Sequence, residues 1–163
     1  LGRGDRSMRP HWKTYAVWIA LSEAVGALSG WLTRDGVQRY AQSVVQPPLS
    51  PPRAVFPAVW VLLFALMGIG AARISLAPAS PARTRSLVLF WVQLAFNFGW
   101  SIWFFHVQCF GFALLWLAVL WALILWMTLS FRAVDRPAAW MQVPYLLWVA
   151  FAGYLNLGVW LLN

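Results

Sequence analysis

Apolar residues along this chain fall into five long runs, over roughly residues 15–32, 55–72, 87–105, 110–131 and 140–162, separated by short polar breaks. Each run is near the ~20 residues that an α-helix needs to cross a hydrocarbon core of ~30 Å. Lipid offers no partner for backbone N–H and C=O groups, so a spanning segment must satisfy them internally, as a helix does. The pattern therefore predicts an all-α membrane protein, a bundle of five transmembrane helices. The breaks are a proline-rich loop at 47–57, the connector PASPARTR at 78–85 and a short turn at 132–137. Only residues 104–111 resist division, and His106, Gln108 and Gly111 mark the expected tight turn there. A polar, basic segment over residues 1–14, without the pattern of a cleavable signal peptide, leads into a single transmembrane domain over residues 15–163.

Within the runs, some polar and aromatic positions recur at helical spacing. The proline loop, whose rings stiffen it, feeds a helix carrying Phe56, Trp60 and Leu63, four and three apart. Gln93, Asn97 and Trp100 stand at i, i+4 and i+7, and Tyr145, Trp148, Ala152 and Asn156 at i, i+3, i+7 and i+11. Residues so spaced share one helix face, so each set is a candidate cavity wall, or else a polar seam joining helices. Gly26 with Gly30, and Ala95 with Gly99, are pairs of small residues that permit close helix approach. The first pair reads as packing within the chain, the second as a seam between two copies. Trp116, Trp121 and Trp126 are five apart and spiral around their helix, which suits packing and lipid contact. Glu23 is the one acid deep in a run, and a carboxylate inside a membrane is a functional candidate by default.

Composition supports the membrane reading. Of 163 residues 62% are hydrophobic and 10% charged, whereas soluble domains carry about 25% charged residues. The net charge of +8 does not point to nucleic acid, because the basic residues sit in short clusters between apolar runs, as in loops beside anionic headgroups. Arg3, Arg6, Arg9, Lys13, Arg73, Arg83, Arg85, Arg132 and Arg136 fall on one side, and Arg34, Arg39 and Arg53 on the other. The positive-inside rule then puts the N-terminus in the cytoplasm and the proline loop outside. Cys109, the single cysteine, excludes an internal disulfide and reads as a small core residue. The chain has no HExxH, P-loop or GxGxxG motif and no Cys/His cluster for a metal, so no cofactor or metal is expected. His11 and His106, far apart, read as structural rather than as haem ligands.

Three motifs, PPLSPPRAVFPAVW at 47–60, QLAFNFGWSIWFF at 93–105 and PYLLWVAFAGYLN at 144–156, together resemble the TspO/MBR family, the translocator proteins (peripheral benzodiazepine receptors) and tryptophan-rich sensory proteins. The resemblance implies a five-helix membrane bundle, frequently dimeric, that binds porphyrins such as protoporphyrin IX, with sterols or benzodiazepine-type ligands in some members. By position it implies a pocket built from Trp60, Asn97, Trp100, Trp148 and Ala152 under a loop containing Pro51 and Pro52. Where many members carry loop tryptophans this chain has Pro48, Leu49 and Ala54, and it lacks the C-terminal sterol motif of animal members. The expected function is tetrapyrrole binding with a transport or stress-sensory role, in a bacterial inner membrane or, in a eukaryote, the mitochondrial outer membrane. Two alternatives stay open: an enzyme that degrades porphyrin with light and oxygen, and a structural or partner-recruiting membrane protein.

Overall fold

The computed structural model describes residues 11–163; Arg3, Arg6, Arg9 and most of the expected basic segment lie outside the described residues. Within the described residues seven α-helices follow in order: α1 (Trp12–Leu32), α2 (Arg34–Ser43), α3 (Val55–Leu76), α4 (Pro81–Ser101), α5 (Phe110–Val134), α6 (Arg136–Trp140) and α7 (Val143–Leu162). A π-helical turn, Ile102–His106, prolongs α4. Five segments are long and apolar enough to cross a membrane: α1, α3, α4 with its π turn, α5, and α6 with α7. The expected five-helix bundle is thus the fold.

Local chemistry explains the boundaries. Ser80 caps α4, its side chain accepting from the Arg83 N–H at 3.1 Å, with Pro81 in the first turn, where proline's missing N–H costs nothing. Asp135 caps α6 in the same way, accepting from the Ala138 N–H at 3.1 Å. The hard-to-divide stretch turns at 107–109, where Gln108 takes φ 58, while Gly111 lies inside α5 against Trp160. Cys109 is exposed beside this turn rather than buried in the core. The last run divides: Trp140 ends α6 and is exposed, and the long helix begins at Val143.

Small residues set the helix crossings. A Cβ at Gly68 would stand 2.5 Å from the Ile19 Cα, and one at Gly26 would stand 2.5 Å from the Phe64 ring, so α1 and α3 cross nearly backbone to backbone. On α4, a Cβ at Gly99 would meet the Trp116 indole of α5 at 2.7 Å. Trp116 stacks on Phe96 at 4.5 Å and donates to the Phe96 carbonyl at 2.7 Å. The space beside Gly99 is thus occupied by Trp116 of the same chain, while Gly99 stays partly exposed and Ala95 exposed.

The two ends of the bundle differ. Away from the proline loop, Met67, Phe90, Leu94, Ile124, Met127 and Phe131 form a solid core. There Arg73 on α3 donates to the Asp135 carboxylate at 2.7 Å, and Ser86 bonds Ser130 at 2.7 Å. The Arg73 contact holds the Asp135 carboxyl below the usual carboxylate range, against a smaller opposing effect of burial. At the other end the helices stand apart, and α2 with the loop closes the gap.

Candidate functional site

The gap is a cavity of about 910 Å³, within the range of small-molecule sites. Its floor lies against the packed half of the bundle and its roof is α2 with the loop over residues 44–54. One wall is α1, through Glu23, Gly26, Ala27 and Gly30. Phe56, Trp60 and Phe64 of α3, Asn97 and Trp100 of α4, and Trp148 and Ala152 of α7 complete the ring. Indoles from three helices thus face one apolar space. The Trp148 ring meets Phe56 edge-on at 5.8 Å, and Trp100 stacks on Phe104 at 4.9 Å.

Polar side chains behind the wall fix its shape. The Tyr145 hydroxyl accepts from the Asn97 amide at 2.7 Å and donates to the Gln93 carbonyl at 2.8 Å. Gln93 in turn points its amide N–H at the Met67 sulfur, 3.7 Å away. One chain of contacts therefore ties α3, α4 and α7 together at the floor. Nearer the roof, the Trp100 indole N–H donates to Asn156 at 3.1 Å, and Asn156 donates to the Phe110 carbonyl at 2.8 Å. The Trp100 ring is thereby held in one orientation.

Of the twelve residues that spacing and resemblance nominate, Pro51, Phe56, Trp60, Asn97, Trp100, Trp148 and Ala152 line the cavity. Gln93, Tyr145 and Asn156 are fully buried behind it and act through their neighbours. Leu63 is turned into the core, and the α3 stripe continues through Phe64, one turn beyond Trp60. Pro52 is exposed on the outside of the roof. His106 is exposed at the loop end, outside the cavity lining, and no group of histidine, cysteine or acidic side chains able to hold a metal occurs among the described residues.

The roof is fastened at several points. The Asn163 amide exchanges bonds with the backbone of Val45, at 3.0 and 2.8 Å. The Tyr154 hydroxyl donates to the Pro48 carbonyl at 2.8 Å, and Gly158 leaves room for the Pro47 ring. The loop is thus pinned to the end of α7. Helix α2 is seated on the π turn, where Gly36 abuts the Phe105 carbonyl and Arg39 donates to the His106 carbonyl at 3.1 Å.

With this geometry the sequence comparisons agree: the chain matches the TspO/MBR family over residues 18–161. The chain belongs to the TspO/MBR family. It is 37% identical over 151 residues to the tryptophan-rich protein TspO of Chlorobaculum tepidum, covering 92% of this chain and 96% of that one. It is 33% identical to the translocator protein of Bos taurus, covering 94% and 92%, and 35% identical to the protein CrtK of Rhodobacter capsulatus, covering 91% and 92%.

In this TspO/MBR chain, sequence reasoning overlooked much of the roof. Thr33, Val37, Tyr40 and Ala41 line the cavity from α2 and the residue before it. Their spacing of four, three and one is an amphipathic signal, hidden because the segment is too short and polar to read as a span. Tyr40 packs against Phe104 at 5.3 Å, and burial pushes its phenol up to about 12, so it stays protonated and neutral at physiological pH. Arg53 lines the roof, whereas Arg34 lies over the Trp31 ring at 4.5 Å and donates to its carbonyl, away from the cavity.

Proposed function

We propose that this TspO/MBR membrane protein binds a tetrapyrrole of the protoporphyrin IX type in the cavity between α1, α3, α4 and α7, in a transport or stress-sensory role. The observation that carries the reading is the meeting of Trp60, Trp100 and Trp148, from three different helices, around one space of about 910 Å³. A flat macrocycle stacks on indole faces, and α1 offers it a smooth wall at Ala27 and Gly30. Its propionates point to the roof, where Arg53 is the nearest guanidinium in the lining. A bacterial inner membrane, with the Arg73 and Arg136 end in the cytoplasm, fits the distribution of basic residues. Assembly as a homodimer along the α4 face of Ala95 and Gly99, where Ala95 is exposed, belongs to the same reading.

The test is titration of the protein in detergent or nanodiscs with protoporphyrin IX, read as quenching of tryptophan fluorescence. Trp148→Leu removes a stacking face, and Ala152→Leu fills the wall. Each should weaken binding by about 1–3 kcal/mol, the scale of an overpacked or missing contact, with less effect on stability. Unchanged affinity in both variants would sink the assignment of this cavity. Illumination then separates binder from enzyme: turnover that needs oxygen and one of the three tryptophans, with a defined product, would make the porphyrin a substrate.

A further inference from the structure

Glu23 is the twelfth residue of the 21-residue span Trp12–Leu32, so it stands near mid-membrane. It lies on the floor of the cavity, one helical turn from Gly26 and two from Gly30, on the wall of α1 that otherwise presents only small residues. Nothing lies within 4 Å of where a Gly30 side chain would begin, so the wall leaves open space above Glu23. Among the described residues its carboxyl has neither hydrogen-bond nor ion-pair partner. Among those same residues, the basic side chain that lines the cavity is Arg53, in the roof. Thr33, which marks the roof end of α1, is ten residues from Glu23, about 15 Å along the helix axis.

We propose that Glu23 makes the cavity floor a subsite for an organic cation: a flat apolar molecule bearing a protonated nitrogen. An isolated carboxyl in an apolar, membrane-embedded wall rests neutral unless a counter-charge stands beside it. The described residues supply none at this depth, so a cation entering the floor is the group that would hold Glu23 as a carboxylate. The other surfaces of the cavity suit the same group, because indole and phenyl faces attract cations as well as apolar rings, and Phe64 and Trp60 line the α3 wall that α1 crosses. The cation's N–H then donates to the carboxylate in a charge-assisted hydrogen bond, while the flat body lies along Ala27 and Gly30. With Arg53 at the roof, the cavity is two-ended: acceptor at the floor, guanidinium at the mouth. This inference does not depend on a tetrapyrrole being the natural occupant.

A matched pair of probes tests it. At neutral pH 9-aminoacridine is a cation and acridine is neutral, and both present the same tricyclic face. Each is titrated against the protein in nanodiscs of zwitterionic phosphatidylcholine, where the lipid adds no anionic attraction, with fluorescence as the readout. The native protein should prefer 9-aminoacridine by about tenfold or more, roughly one charge-assisted contact. Glu23→Gln and Glu23→Leu should abolish that preference while leaving acridine within about twofold, and Glu23→Asp should restore part of it. Acidification that protonates Glu23 should weaken 9-aminoacridine in the native protein and not in Glu23→Gln. The other titratable groups lining the cavity are Tyr40 from α2 and Arg53 from the loop, while α3, α4 and α7 contribute none. Equal cation preference in native protein and Glu23→Gln, or equal loss of both probes, would overturn the proposal. Protoporphyrin IX titrated into the same variants keeps the two claims apart. Intact porphyrin binding without cation selectivity removes this inference alone, and cation selectivity without porphyrin binding removes only the tetrapyrrole reading.

Discussion

Tyr145→Phe is the sharpest test of how the cavity floor is held. The substitution keeps the ring, its burial and its edge contact with Trp60 at 6.3 Å, and deletes one oxygen. That oxygen makes two short bonds, to Asn97 at 2.7 Å and Gln93 at 2.8 Å, in a fully buried position. In a soluble core each stranded group would cost about 1–3 kcal/mol. Between membrane helices the measured worth of such a bond averages about 0.6 and reaches about 1.7 kcal/mol, because polar groups in the unfolded membrane state also find partners. Two bonds at that scale give an expected loss of about 1–3 kcal/mol. Unfolding in mixed micelles of increasing denaturing detergent, followed by tryptophan fluorescence, measures it. Tyr154→Phe is the control, since its bond to Pro48 is exposed and should cost within about 0.5 kcal/mol. Tyr145→Phe should also loosen Asn97 and so change ligand affinity. A Tyr145→Phe loss no larger than the control's would refute the reading that this polar chain ties three helices together.

Other substitutions probe the crossings and the polar end. Gly68→Ala forces a methyl group against the Ile19 backbone and should cost about 1–3 kcal/mol, whereas Gly30→Ala, facing open space, should be neutral or gain up to about 1 kcal/mol from helix propensity; equal effects in a detergent melt would show the α1–α3 contact to be misjudged. Gly99→Leu should unseat Trp116, lower stability by about 1–3 kcal/mol and favour the monomer by light scattering, and an unchanged mass would remove the seam there. Arg73 holds the Asp135 carboxyl below its ordinary value, so that ion pair's contribution is complete above the unfolded pKa near ~4 and fades as pH falls through the lower folded value. Both partners are partly exposed, which limits the pair to about 1 kcal/mol or less. Asp135→Asn should lose only that, keeping the α6 cap, and Asp135→Ala should lose about 1 kcal/mol more; identical melting of the two would show the cap to be idle.

Spans were legible because lipid imposes one simple rule on them. Length and apolarity sufficed for α1, α3, α4 and α5, whose few polar residues did not break the pattern. What failed was whatever lipid does not dictate. Helix α2 is short and polar, and it exists because the cavity needs a roof, with Gly36 seated on the π turn and Tyr40 on Phe104. The split between α6 and α7 rests on the Asp135 cap and on the turn at 141–142, features of local hydrogen bonding that hydropathy does not register. Cys109 looked buried because its neighbours are apolar, yet in a membrane bundle the loop end can carry apolar residues outward.

Periodicity found the cavity walls and misassigned depth within them. A stripe says which side of a helix a residue takes, and Gln93, Asn97 and Trp100 do share the inward side of α4. It does not say where the facing helices part. They part above Tyr145, so Asn97 and Trp100 meet the space while Gln93, one turn lower, is sealed under the floor. Leu63 and Phe64 differ by face instead: successive residues stand about 100° apart on a helix, so Leu63 turns into the core while Phe64 turns to the cavity. The parting of the helices also places Glu23 at the floor: one turn deeper, Trp18 and Ile19 pack against Phe90 and Gly68, and the roof with Arg53 lies about three turns higher. At the floor it meets neither, and that is the arrangement in which an incoming cation changes the energy of the site most.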